Sequence, residues 1–183
     1  MPFKTAKAFR LWLKNNHSKS PGIWVQFFKK GLGVKTITYA EALDQALCYG
    51  WIDSQVKSYD KKSYLQRFGP RTQKSIWSKI NREHVARLSK EGRMMPAGLA
   101  QVARAKADGR WEAAYDSSKN MAVPEDLLKE LTKDKKAEQF FKSLSKANVY
   151  AITWRLQTAK KPETRKKRMD LVLEMLKKGQ KFH

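Results

Sequence analysis

TYAEALDQALCYGWIDSQVKS, residues 38–58, decides how this chain folds, because it sets a helix and a strand back to back. Thr38-Tyr39-Ala40-Glu41 has the form of a capping box, in which the Thr38 hydroxyl and the Glu41 carboxylate each accept from a backbone N–H left free at a helix start. Tyr39, Ala42, Leu43, Ala46 and Leu47 follow at helical spacing and give the helix one apolar face. Gly50 ends it. From Trp51 to Ser58 the period changes to two, which puts Ile52 and Val56 on one face of a strand and Trp51, Asp53 and Gln55 on the other.

Upstream, Phe9, Trp12 and Leu13 predict a helix over residues 5–15, and Gly22 opens the strand IWVQFF. Downstream, Tyr59-Asp60-Lys61-Lys62-Ser63 reads as a turn into a second strand, residues 64–68, so that the two strands form an antiparallel hairpin. Ser78 caps a helix reaching to about Glu91, and residues 96–108 form another, stopped by Gly109. Beyond Pro124 only helical patterns occur: Leu127/Leu128/Leu131, Ala137/Phe140/Phe141/Leu144, Val149/Ile152/Leu156/Ala159 and Met169/Val172/Leu173/Leu176, with Pro162 before the last and Gly179 after it. The expected fold class is α+β. A small antiparallel sheet of about three strands packs with helices over residues 1–115, and a helical C-terminal region of about four helices covers residues 124–183. The boundary falls in 109–123, and the two parts are expected to share one compact body.

The charge narrows the class of partner. The chain holds 39 Lys and Arg against 17 Asp and Glu, a formal net charge of +22 over 183 residues. Residues 1–123 carry 23 basic and 9 acidic residues and residues 124–183 carry 16 and 8, so the excess belongs to the folded body and not to a tail. Such a field attracts an anionic partner: nucleic acid, an acidic protein, an anionic lipid surface or a small anion. One cysteine, Cys48, precludes an internal disulfide and fits a reducing compartment. Lys4, Lys7, Arg10 and Lys14 interrupt the N-terminal apolar residues, no stretch approaches the ~20 apolar residues of a membrane span, and the chain is read as cytoplasmic.

Catalytic and metal chemistry find little footing. His17, His84 and His183 lie far apart with no cysteine or second histidine at ligand spacing, and there is no Walker loop, dinucleotide glycine fingerprint or nucleophile elbow. No metal, cofactor or catalytic residue is assigned. Cys48 sits at a helix C-terminus, whose negative pole disfavours a thiolate, and is read as structural. The candidate ligand-binding residues are Trp51 and Asp53, Arg67 and Arg71, and Ser75, Trp77 and Asn81, which could hold an anion between guanidinium forks and an indole face. The competing reading has Asp53 pair with an arginine to pin the loop while Trp77 packs as core. The candidate basic surface is Lys160, Arg165, Lys166, Lys167 and Arg168, where cations at a helix start oppose its dipole, a cost that an anionic contact would relieve.

The string from Thr38 to Asp53, the series Arg67…Pro70-Arg71…Ser75…Trp77-Ser78…Asn81, Gly92-Arg93-Met94…Gly98, and Glu163-Thr164-Arg165-Lys166-Lys167-Arg168 near the end together resemble the bacterial YdeI/OmpD-associated family, also labelled bacteriocin-protection proteins. The likeness spans nearly the whole chain. It departs at Gly69, where a hydroxyl residue is expected before Pro70-Arg71. The resemblance implies a role in bacterial stress or envelope protection, against bacteriocins or cationic antimicrobial peptides, and an association with an outer-membrane porin; it brings no catalytic residue with it. A chain of this charge would repel a cationic peptide, so the favoured reading is a non-enzymatic binding protein engaging an anionic partner. The alternatives are a small-anion protein or enzyme built on Asp53, Arg67, Arg71 and Ser75, and a sequence-nonspecific nucleic-acid binder.

Overall fold

The computed structural model describes residues 1–182. They divide into two compact units, Met1–Ala114 and a second beginning at Tyr115. The fold is α+β, with a three-stranded antiparallel sheet and helices in the first unit and helices alone in the second.

The first unit runs α1 (Ala6–Asn16), β1 (Ile23–Phe28), α2 (Tyr39–Cys48), β2 (Trp51–Ser58), β3 (Ser63–Pro70), α3 (Lys79–Lys90) and α4 (Pro96–Ala107). The capping box is present in full: Thr38 N donates to the Glu41 carboxylate at 2.8 Å, and the Thr38 hydroxyl accepts from Glu41 N at 3.3 Å. Gly50 adopts a φ of 74°, in the left-handed region, and so reverses the chain from α2 into β2. The sheet order is β1-β3-β2, with both pairings antiparallel. Val25, Phe27, Trp51 and Phe68 line its buried face beneath α1 and α2, where Phe9 meets Phe68 at 5.7 Å and Trp12 meets Trp51 edge-on at 5.7 Å between ring centroids.

Strict alternation along β2 fails at one point. The register steps from Asp53↔Phe68 to Val56↔Gln66, so one extra residue bulges from β2. Val56 therefore leaves the face of Ile52 for that of Trp51 and Asp53, at the end of the strand, and stands 62 % exposed.

The second unit comprises α5 (Glu125–Leu131), α6 (Lys135–Lys142), α7 (Lys146–Gln157) and α8 (Pro162–Lys177). Leu127, Leu131, Phe141, Ile152, Leu156, Val172 and Leu176 form its core. Asp134 and Ser145 cap α6 and α7 through their side chains, and Pro162 occupies the first turn of α8, where its missing N–H costs nothing. No helix among the described residues is long and apolar enough to cross a membrane.

Candidate functional site

Of the seven ligand-binding candidates, four lie on one stretch of chain and three do not join them. Arg71 follows β3, and its backbone N–H donates to the Gly50 carbonyl at 3.0 Å, which ties the loop from 71 to 78 across the α2–β2 turn. The Arg71 guanidinium lies 3.5 Å from the centroid of the Trp77 ring and donates from Nη1 to the Ile76 carbonyl at 3.1 Å. Both side chains are buried. Trp77 in turn meets the half-buried Trp111 edge-on at 4.8 Å, and the guanidinium of Arg82 covers Trp111 at 5.3 Å while donating to its carbonyl at 2.8 Å. Ser75 closes a local turn: its hydroxyl accepts from Thr72 N at 2.9 Å. Asn81 gives its backbone N–H to the Ser78 cap at 3.1 Å.

A buried arginine outside the ligand-binding candidates also holds this loop. Arg110 donates from Nε to the Asp108 carboxylate at 2.8 Å and from Nη1 to the Ser75 carbonyl at 2.9 Å. Only its position just after the helix-ending Gly109 marks it in the sequence, and the contact it makes is long-range.

Trp51, Asp53 and Arg67 point elsewhere. The Trp51 indole N–H donates to the His17 carbonyl at 3.1 Å, within the core beneath α1. Asp53 stands opposite Phe68 and accepts from the Tyr39 hydroxyl at 2.9 Å. Arg67, one residue along β3, alternates to the other face of the sheet and donates to the Pro21 carbonyl at 3.0 Å. Asp53 and Arg67 thus lie on opposite sides of the sheet, and the anion clamp drawn from them together does not assemble.

What is open nearby is a shallow concavity of about 500 Å³ lined by Lys79, Arg82, Glu83, Ala86 and Trp111. It offers two cations, a carboxylate and an indole, and no nucleophile next to a base. Cys48 is fully buried, and burial pushes its thiol above the ordinary value despite the neighbouring Arg10. His17 contacts the Leu13 carbonyl at 3.0 Å and His84 lies 3.6 Å from Asp44; His183 is outside the described residues. No group of three or more His, Cys, Asp and Glu among the described residues is placed to hold a metal ion.

The basic run on α8 splits by role. Arg165 takes the Asp126 carboxylate with Nε and Nη2 and donates from Nη1 to the Leu156 carbonyl at 2.7 Å. Arg168 donates to the Arg155 carbonyl at 2.6 Å and to the Thr158 hydroxyl at 3.2 Å. Both arginines are half-buried and fasten α8 to the end of α7. Lys166 pairs with Asp170 at 2.9 Å, and Lys160 and Lys167 project into solvent.

Comparison with known proteins adds two matches. Residues 1–101 match a family described as a domain of unknown function (DUF8412), and residues 120–179 match the family described as Bacteriocin-protection, YdeI or OmpD-Associated. The YdeI/OmpD-associated likeness is therefore carried by the second unit, while the strings in 38–98 fall within the span of the first match. No curated protein and no solved structure matches the chain.

Proposed function

Since the chain belongs to the DUF8412 family, matched over residues 1–101 of its 183, and ends in a YdeI/OmpD-associated region, we propose that it is a non-enzymatic binding protein of bacterial stress or envelope protection. It works in the cytoplasm and engages an anionic partner through its basic surface. The observation that carries this reading is the division among its cations. Arg71, Arg110, Arg165 and Arg168 are turned inward onto carbonyls and ring faces, whereas lysines such as Lys29, Lys30, Lys35, Lys61 and Lys62 stand exposed with no ion pair among the described residues. Much of the accessible charge is thus that of ammonium groups held in no ion pair, and an anionic partner would release the self-repulsion of a chain at +22. Fluorescence anisotropy against duplex DNA, heparin and an acidic polypeptide across a salt series tests the reading. Affinity that falls steeply with salt is expected, and no binding to any polyanion or anionic surface at low salt overturns it.

The concavity at Lys79, Arg82 and Trp111 favours a second reading, a small-anion protein. A thermal-shift screen of phosphorylated and carboxylated metabolites tests it: a ligand at 100 times its Kd stabilises by about 2.7 kcal/mol, and Arg82→Ala should remove that shift.

A further inference from the structure

One end of the sheet in the first unit gathers exposed apolar side chains and lysines. The connection from β1 to α2 is anchored at both ends: Lys29 N donates to the Lys62 carbonyl at 2.9 Å and Ile37 N to the Phe3 carbonyl at 3.0 Å. Between the anchors, residues 30–35 are all exposed. Gly31 and Gly33 take φ values of 88° and 67°, and nothing lies within 4 Å of where a Cβ would stand on either, so both turn positions face open space. On this loop Leu32 is 41 % and Val34 48 % exposed, and Tyr59 in the adjoining β2–β3 turn is 62 % exposed. Lys29, Lys30 and Lys35 flank Leu32 and Val34 along the loop, and Lys61 and Lys62 lie in the turn that Lys29 N joins at the Lys62 carbonyl, with Asp60 the one carboxylate in these two segments. Asp60 is engaged within its own turn, accepting from Lys62 N at 2.7 Å and the Ser63 hydroxyl at 2.8 Å. A cavity of about 510 Å³ opens under the loop, walled by Phe28, Ile37, Tyr39 and Tyr64 and by the loop itself, with Leu32 and Val34 at its rim.

We infer that this sheet end docks on an anionic lipid bilayer, with Leu32 and Val34 entering the headgroup–acyl boundary and the neighbouring lysines meeting the phosphates. The inference rests on the anionic-partner reading above and names the partner. Single exposed aliphatics need no explanation, but two on a glycine-turned loop that carries three lysines, next to a turn that carries two more, combine the apolar and electrostatic signals that stable surface attachment requires. The chemistry favours lipid over nucleic acid. The apex is aliphatic and cannot stack on bases, and the five cations are all Lys, with stems that lie along an apolar boundary while the ammonium reaches water. Tyr59, exposed in the neighbouring turn, is a side chain that suits a membrane interface.

Co-sedimentation of the full chain with vesicles of phosphatidylcholine alone, and of phosphatidylcholine mixed with phosphatidylglycerol, tests the inference. Binding is expected only to the anionic vesicles. Lys29→Gln/Lys30→Gln should weaken it roughly 25-fold, at about fivefold per basic residue near an anionic surface. Leu32→Ser/Val34→Ser leaves the charge unchanged and replaces exposed side chains, so the fold is kept; it should weaken vesicle binding by about tenfold or more while leaving heparin and DNA affinity as in the wild type. Vesicle binding unchanged in Leu32→Ser/Val34→Ser overturns the docking mode, and an equal loss of DNA binding in that variant reassigns the loop to nucleic acid. A wild-type chain that binds heparin or DNA but no vesicle overturns this inference and leaves the anionic-partner reading standing; binding to none of them overturns both.

Discussion

Arg71 lies over the face of Trp77, its guanidinium carbon 3.5 Å from the ring centroid, in a place where both residues are less than 5 % exposed. The indole face takes the place of the water that a buried cation loses, and the Ile76 carbonyl accepts one of its protons. Arginine and tryptophan here join the loop after β3 to α3 as part of the core.

Arg71→Ala should therefore act on stability. Opening a cavity over Trp77 and removing its buried partner is expected to cost about 2–4 kcal/mol in chemical denaturation. Arg71→Lys, which keeps the charge but lacks a planar face, should recover only part of the loss. A variant as stable as the wild type would mean that the stack does not hold the loop.

Thr38→Ala removes one half of the capping box and should cost about 1 kcal/mol, a fall of roughly 2–4 °C in melting temperature for a chain of this length. The Thr38 backbone N–H, and then its hydroxyl, hold the Glu41 carboxyl below the usual glutamate range. A carboxylate depressed in the folded state stabilises above its unfolded value and loses that contribution as pH falls through the folded one. The gap in melting temperature between wild type and Glu41→Gln should accordingly narrow below about pH 4. A gap that stays constant down to about pH 3 would separate Glu41 from the cap.

In the second unit, the Arg165–Asp126 pair is partly solvated, with the side chains 32 % and 50 % exposed, so the ion pair alone should contribute less than about 1 kcal/mol. Arg165 also serves the Leu156 carbonyl, and Arg165→Ala should cost more than Asp126→Asn, about 1–2 kcal/mol by calorimetric melting. Equal costs would show that the carbonyl contact adds nothing.

The elements were legible because local signals mark them: the Thr38 box, the Gly50 stop, the Ser78 cap and the apolar spacing from Leu127 to Leu176 all coincide with helix or strand bounds. The candidate site was less legible because its geometry depends on register. A slip of one residue would have set Asp53 opposite Arg67; the pairing with Phe68 sends their side chains to opposite faces. The bulge before Val56 moved an apolar side chain to the face where alternation did not put it, and the Arg110 contact to Ser75 joins residues 35 apart. Neither leaves a mark in a window of neighbouring residues.

The first turn of α8 carries a cost that the end of α7 relieves. Arg165 sits there, where the dipole of its own helix disfavours a cation, and Arg168 lies about one turn further on; their guanidinium groups reach the Leu156 and Arg155 carbonyls, at the negative pole of the preceding helix. The junction is thus a latch between two helix ends. A phosphate that captured either guanidinium would have to lift the latch first and would favour the opened form, so it should lower the melting temperature of the second unit, whereas an anion bound to the exposed lysines should raise it.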